Sequence, residues 1–260
     1  MLRGKTALIT GSIAGLGYAM ASALAEQGSN IILHGLEPTE QAQAAATQLE
    51  KNYGIQALCS RANLTQVSEI EQMMQLAQIK FGAIDIVINN AVIRNFSAVD
   101  TLETSKWDES IAVNLSSAFH TARLAIPQMK KKGWGRIINI SSVYGQTATA
   151  NRITYITTKT ALIGLTRSIA MDVANDGITC NALCPGTTPT PPILERIHGI
   201  AEKEGITNEQ AERDYISSRH PTGRFVAMSS VASFAVFLCS EAGKDITGAV
   251  LPVDGGWTIK

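Results

Sequence analysis

A short apolar run at residues 5–10 (KTALIT) leads into a glycine-rich turn, and apolar positions then recur over residues 14–27 with the spacing of one helical face. That alternation persists along the chain. Apolar runs predict further strands at 30–34, 55–59, 84–89, 135–141, 178–184 and 249–253. Helical periodicity fills the gaps at 41–52, from Val67 onward, at 107–132, at 153–175 and at 229–240. Apolar strands alternating with helices predict a parallel, doubly wound α/β sheet with helices on both faces. In helix 153–175 the apolar positions cover more than one face, enough to pack on the sheet and to meet a partner subunit. One stretch stands outside the alternation. After four prolines within residues 185–192, residues 193–218 are polar and helix-prone, as a lid over the sheet's carboxyl edge would be. With no repeat and no low-complexity linker, the reading is one domain, 1–260, with 190–218 as a helical insertion that binds substrate.

Composition narrows the function. The chain has 260 residues, a size that one large α/β core accommodates. Lys plus Arg and Asp plus Glu number 22 each, so no charge footprint argues for nucleic acid or an anionic membrane. Any phosphate must be held locally. No apolar run reaches the ~20 residues of a membrane span, and the N-terminus runs directly into a strand without signal-peptide architecture, which points to the cytoplasm. The four cysteines (Cys59, Cys180, Cys184, Cys239) and four histidines (His34, His120, His198, His220) lack metal-ligand spacing, so no metal is expected.

The candidate chemistry centres on Ser142, Tyr155 and Lys159. On a helix, Tyr155 and Lys159 share a face one turn apart, so an ammonium can sit beside a phenol. Bringing a phenol from ~10 to about 7 needs roughly 4 kcal/mol of preferential phenolate stabilisation, of which a neighbouring cation supplies a large part. Tyr155 then suits a general base toward an alcohol or a general acid toward a carbonyl. Taken alone, a Tyr four before a Lys is common; its company matters. Gly11, Gly15 and Gly17 lie between a strand and a helix, where backbone N–H groups and the helix dipole receive a pyrophosphate. The second strand ends in His34-Gly35-Leu36-Glu37, with no Arg or Lys there for a 2'-phosphate, which favours NAD over NADP. Glu37 fits either the ribose hydroxyls or a solvated loop. Asn63 fits either an adenine edge or a helix cap. Asn114, inside a helical pattern, fits a water-holding or helix-opening role, or a solvent-facing one.

Taken together, TGxxxGxG at residues 10–17, Asn89-Asn90-Ala91, Asn114, Ser142, Tyr155xxxLys159 and Pro185-Gly186 resemble the short-chain dehydrogenase/reductase family over essentially the whole chain. The resemblance implies a Rossmann sheet of about seven strands and a homotetramer or dimer joined partly through the Tyr-bearing helix. It implies Tyr155 as catalytic acid/base, Ser142 polarising the substrate oxygen, Lys159 holding the nicotinamide ribose and lowering the Tyr pKa, and Asn114 holding a relay water. It carries cofactor contacts onto Gly11, Ile13, Gly15, Leu16, Gly17, Leu36, Asn63 and Leu64. Further ones fall on Asn90, Pro185, Gly186, Thr188 and Thr190. Two departures occur on the cofactor side: Asn90-Ala91-Val92 where Asn-Ala-Gly is usual, and Asn63-Leu64 where Asp is commoner.

Within the family the chain is most similar to bacterial D-3-hydroxybutyrate dehydrogenases, by its length, LHGLEP, MKKKGWGRIINI, GITCNALCPG, the 193–218 stretch and the ending VDGGWTIK. Those enzymes use NAD and grip a small carboxylate. The positions aligned with their substrate contacts read Arg94, Tyr144, Arg152, Thr187, Arg196 and Trp257 here, where the resemblance leads one to expect Gln, His, Lys, Trp, Gln and Trp. A Thr for an indole frees space, and the arginines suit a bidentate carboxylate or phosphate, unless they are surface charges. The leading expectation is an NAD(H)-dependent oxidoreductase interconverting a 3-hydroxy acid and a 3-oxo acid, or a related acidic pair. A sister reading is a 3-oxoacyl thioester reductase or a reductase of a larger acidic ketone. The remote one is a non-catalytic dinucleotide-binding protein, against which the intact Asn114, Ser142, Tyr155 and Lys159 argue.

Overall fold

The computed structural model describes residues 2–260. Its first half runs β1 (Thr6–Ile9), α1 (Gly15–Glu26), β2 (Asn30–His34), α2 (Thr39–Tyr53), β3 (Ala57–Ser60), α3 (Val67–Phe81) and β4 (Ile86–Asn89). There follow α4 (Thr104–Ile111), a π-helical turn (Ala112–Ser116), α5 (Ser117–Lys132), β5 (Gly135–Ile140), α6 (Ile153–Asp172) and β6 (Ile178–Pro185). The chain closes with α7 (Pro191–Glu204), α8 (Asn208–Ser217), α9 (Met228–Cys239) and β7 (Val250–Val253). The strands form one seven-stranded parallel sheet in the order β3-β2-β1-β4-β5-β6-β7.

Every residue of β1, β4, β5 and β6 is buried, which is why these strands read as mainly apolar runs, with the buried polar groups Asn89, Asn139 and Asn181 hydrogen-bonded. Successive side chains still take opposite faces. Ala7, Ile9, Ile31, Leu33, Ile86 and Ile88 pack with Met20 and Leu24 of α1, Leu49 of α2 and Val231 and Leu238 of α9. Leu8, Ile32, Val87 and Ile137 pack on the other side with Ile70, Met73 and Met74 of α3, Ala125 and Met129 of α5, and Ile169 of α6. Beneath the amino ends of the strands, the buried Asp85 carboxylate accepts Thr6 N–H at 2.9 Å and Lys132 Nζ at 2.8 Å.

Two expectations need correction. The continuous helix over 107–132 is instead α4, a π turn and α5, because Asn114 bonds sideways to the β4 loop and one residue is looped out of the helical repeat. The 193–218 stretch is two helices, divided at Gly205, whose φ of +67° ends α7, and restarted by Thr207, whose hydroxyl accepts Gln210 N–H at 3.2 Å. These two helices have a small core of their own around Ile197, Ala201 and Ala211.

Strand order reverses between β1 and β4, and the crevice of such a sheet opens at the carboxyl ends of those two strands. No helix among the described residues is long and apolar enough to cross a membrane.

Candidate active site

The turn after β1 is built around two close approaches. Gly11 adopts φ +61° and lies so near the β4 end that a Cβ would fall 2.9 Å from Ala91 Cα. At Gly17 a Cβ would run into the Gly11 carbonyl and come within 2.7 Å of Asn90 Nδ2. Asn90 explains the tightness. Its amide donates to Thr10 O at 3.0 Å and Gly11 O at 2.7 Å, while the N–H groups of Asn90 and Ala91 both donate to Thr10 Oγ1 at 3.0 Å. The turn is thus clamped to β4, and no side chain caps α1, which leaves its first N–H groups directed at the crevice.

His34 completes this support. Nδ1 accepts Gly11 N–H at 3.1 Å and Nε2 lies 2.8 Å from Ala62 O, an arrangement that needs the neutral ring with its proton on Nε2. Burial accordingly holds its pKa below the usual histidine value.

Ser142 follows β5 in extended conformation (φ −169°), and its Oγ accepts Tyr144 N–H at 3.2 Å. Tyr155 and Lys159 lie one turn apart on the buried side of α6, with Lys159 Nζ 5.7 Å from the Tyr155 ring centre. Lys159 Nζ donates to Ile140 O at 2.6 Å, which anchors it at the end of β5. Burial pushes the Lys159 ammonium down to about 8, while Tyr155 pulls it back up. Burial would raise the Tyr155 phenol, but Arg94, then Lys159, and hydrogen bonds with Ser142 and Arg94 together bring it below its ordinary value. A buried phenol poised to ionise, bonded to a serine hydroxyl, can exchange a proton with an alcohol or carbonyl oxygen placed between them.

Asn114 is buried in the π turn, where its Oδ1 accepts Ile93 N–H at 2.8 Å and its Nδ2 donates to Ile93 O at 3.0 Å. Its Nδ2 also donates to Thr158 Oγ1 of α6 at 3.4 Å, so the side chain joins the loop after β4 to α6, and a part in proton transfer would fall to the backbone of the π turn. That loop carries Arg94, whose guanidinium carbon lies 5.3 Å from the Tyr155 ring centre. Arg152 sits 5.2 Å from the Tyr144 ring and 4.7 Å from Phe96, and Arg196 of α7 sits 4.9 Å from the same Phe96 ring. Trp257 packs edge-on against Tyr144 at 5.4 Å.

A cavity of about 590 Å³ joins the glycine-rich turn to these groups. Gly11, Gly15, Leu16, Gly17, Asn90, Pro185, Gly186, Thr188 and Thr190 line the arm at the glycine-rich turn. Ser142, Tyr155, Lys159, Arg94, Tyr144, Arg152, Thr187 and Trp257 line the other.

The matching family, described as Enoyl-(Acyl carrier protein) reductase, spans residues 11–258. The chain is 44% identical to the D-beta-hydroxybutyrate dehydrogenase of Cupriavidus necator over 260 residues, all of both chains. It is 41% identical to the enzyme of that name from Rhizobium meliloti, over 98% of this chain and 99% of the relative. Among solved structures, L-sorbose reductase from Gluconobacter frateurii, solved with NADPH and L-sorbose, superposes with a TM-score of 0.96 at 27% identity, covering 100% of this chain and 98% of that one.

The chain belongs to the short-chain dehydrogenase/reductase family. It is therefore an oxidoreductase of the secondary alcohol and ketone type, with a site for a nicotinamide dinucleotide.

Not every residue expected at the site lines the cavity. Ile13 is buried in the core below the glycine-rich turn, Leu64 is buried under α3, and Leu36 is 62% exposed. Asn63 Oδ1 is taken by Thr65, accepting its N–H at 3.0 Å and its hydroxyl at 2.9 Å, so it shapes the turn before α3 and does not cap that helix directly. Arg196 lies outside the cavity wall, held to it through Phe96.

Three features escaped the sequence. Arg61, at the end of β3, places its guanidinium 3.3 Å from Leu36 O, so a cation does stand beside the ribose end, contrary to expectation. Phe96, in a loop without periodicity, gathers two arginines. Tyr215 of α8 also lines the cavity. Arg61 and Phe96 are distant in sequence from the groups they meet and no local pattern marks them, whereas Tyr215 falls within the 190–218 insertion expected to bind substrate.

Proposed function

We propose that the protein is an NAD(H)-dependent dehydrogenase/reductase that interconverts a 3-hydroxy acid and the corresponding 3-oxo acid. The observation that carries the reading is the pairing of Tyr155 with unpaired arginines in one cavity. Tyr155 would take the alcohol proton in oxidation and return it to the carbonyl oxygen in reduction, with Ser142 donating to that oxygen. Lys159, anchored on Ile140 O, would hold the ribose and favour the phenolate. Arg94, Arg152 and Arg196, with Tyr144, Thr187 and Trp257 around them, would receive the acid. Asn114 would preserve the π turn that presents the β4 loop.

The dinucleotide, when bound, supplies hydride transfer. The residues present fit it: a cradle with no room for a Cβ at Gly11 and Gly17, and, at the ribose end, a buried Glu37 oxygen without a partner. A carboxylate there accepts hydrogen bonds from ribose hydroxyls and repels a 2'-phosphate, which supports NAD. The exposed Arg61 beside Leu36 supports NADP as the second reading. We read the chain as one domain, 1–260, in which 190–218 covers the substrate. We further read it as a cytoplasmic homotetramer assembled partly through α6, which leaves Met171 78% exposed.

The test is oxidation of 3-hydroxybutyrate and longer 3-hydroxy acids with NAD and NADP in parallel, and NADH oxidation with the 3-oxo acids, carrier thioesters and a neutral ketone. Tyr155→Phe should lose turnover by on the order of a thousandfold or more while still binding NADH. Turnover confined to thioesters would sink the free-acid reading. A better kcat/KM with NADP would overturn the assignment of NAD.

A further inference from the structure

The cavity carries more positive charge than a single carboxylate requires. One carboxylate is satisfied by one guanidinium in a bidentate pair, yet two guanidinium groups, Arg94 and Arg152, line the cavity, and a third, Arg196, stands just outside its wall against Phe96. None of them forms an ion pair with an acidic side chain among the described residues. They are held on aromatic faces instead: Arg94 on Tyr155, and Arg152 and Arg196 on the two approaches to Phe96. Burial and then the like charge of Arg196 both act against the charge on Arg152, a cost that an anion on Arg152 would relieve.

The charges fall into two stations. Tyr155 and Tyr144 meet edge to face with ring centres 6.2 Å apart; Arg94 touches the first ring and Arg152 the second. A substrate oxygen bonded to Tyr155 and Ser142 therefore has a cation at each end of the tyrosine pair. The small buried Thr187 lines the same arm, so the wall there leaves room for an acyl chain beyond four carbons.

We propose that the substrate is dianionic: a 3-hydroxy or 3-oxo dicarboxylic acid with one carboxylate on Arg152 and the other on Arg94. This rests on the acid dehydrogenase reading above and narrows its substrate class.

The experiment compares kcat/KM, with NAD, for 3-hydroxyglutarate, 3-hydroxyadipate, the monomethyl ester of each, and 3-hydroxybutyrate. A half-ester keeps the shape of its diacid and removes one charge. The better diacid should exceed its half-ester on the order of tenfold, because Arg94 is partly open to solvent and its pairing is screened. Arg94→Met should bring that ratio close to one. Because the ratio is taken within one preparation, partial misfolding does not alter it. If the half-ester serves as well as the diacid while acids in general are oxidised, the second station is wrong and the acid dehydrogenase stands. If none of the acids is oxidised, the dehydrogenase reading falls and takes this proposal with it. A wild-type preference for diacid that survives unchanged in both Arg94→Met and Arg152→Met also overturns the two-station arrangement. Should Arg94→Met fail to fold, the wild-type ratio and Arg152→Met still decide.

Discussion

Tyr155 shows how much one side chain depends on groups the local sequence does not contain. Burial disfavours a phenolate, and Lys159 is one of two cations that reverse that effect; Arg94 is the other and the larger influence. A base of lowered pKa shifts the rising limb of a pH–rate profile toward neutrality, because the phenolate forms at lower pH. In the oxidative direction kcat/KM should therefore rise with pH to a midpoint below 10. Replacing Arg94 by Met removes a stabilising charge, so the midpoint should move upward. An unmoved midpoint in that variant would assign the lowering to Lys159 and Ser142 without Arg94. The serine, tyrosine and lysine were legible in the sequence because two of them keep helical spacing. The contact of Arg94 with Tyr155 was not, since it joins an irregular loop to a helix.

At the scale of elements, a strand, a turn and a helix work as one device. Asn90 at the end of β4 ties down the carbonyls of Thr10 and Gly11, and the glycines leave just enough room for this closure. A methyl group at Gly17 meets the Gly11 carbonyl and the Asn90 amide, and neither can retreat without breaking the clamp. Gly17→Ala should cost about 1 to 3 kcal/mol of stability by overpacking. It should weaken NADH binding more than tenfold, read by NADH fluorescence titration beside a melting curve. A folded variant with wild-type affinity would show that the turn tolerates displacement. The sequence revealed this element through its glycine spacing and its place between strand and helix. It also singled out Asn114 as a residue that could open the helix locally, which the π turn does, while the apolar pattern alone gave one long helix over 107–132. The break between α7 and α8 had a signal that the pattern of apolar positions alone does not weigh: Gly205, then Thr207 three residues before Gln210, a stop followed by a capping box.

For the molecule as a whole, the alternation of apolar strands and helices made the sheet legible, since a strand buried on both faces is mainly apolar. The partition of the core was less so. The sheet is covered by two extensive apolar clusters, whereas α7 and α8 have four buried apolar residues, Ile197, Ala201, Ala211 and Ile216, with partly buried neighbours. The His198–Glu212 contact at 2.8 Å ties the two helices to each other, not to the sheet. Tyr215 and Ile193, however, face the cavity, so this weakly anchored pair also forms part of the substrate wall. Elements with little buried apolar contact open at lower free energy than the core that supports them. Amide hydrogen exchange should therefore run on the order of a hundredfold or more faster in residues 191–217 than in β1, β4 and β5. Adding NADH together with a non-reacting acid should slow exchange in that segment selectively, because a ligand touching Ile193 and Tyr215 favours the closed form by mass action. Equal protection of the helical pair and the central strands without ligand would mean that α7 and α8 belong to the same cooperative unit as the sheet. Substrate would then have to enter without their opening.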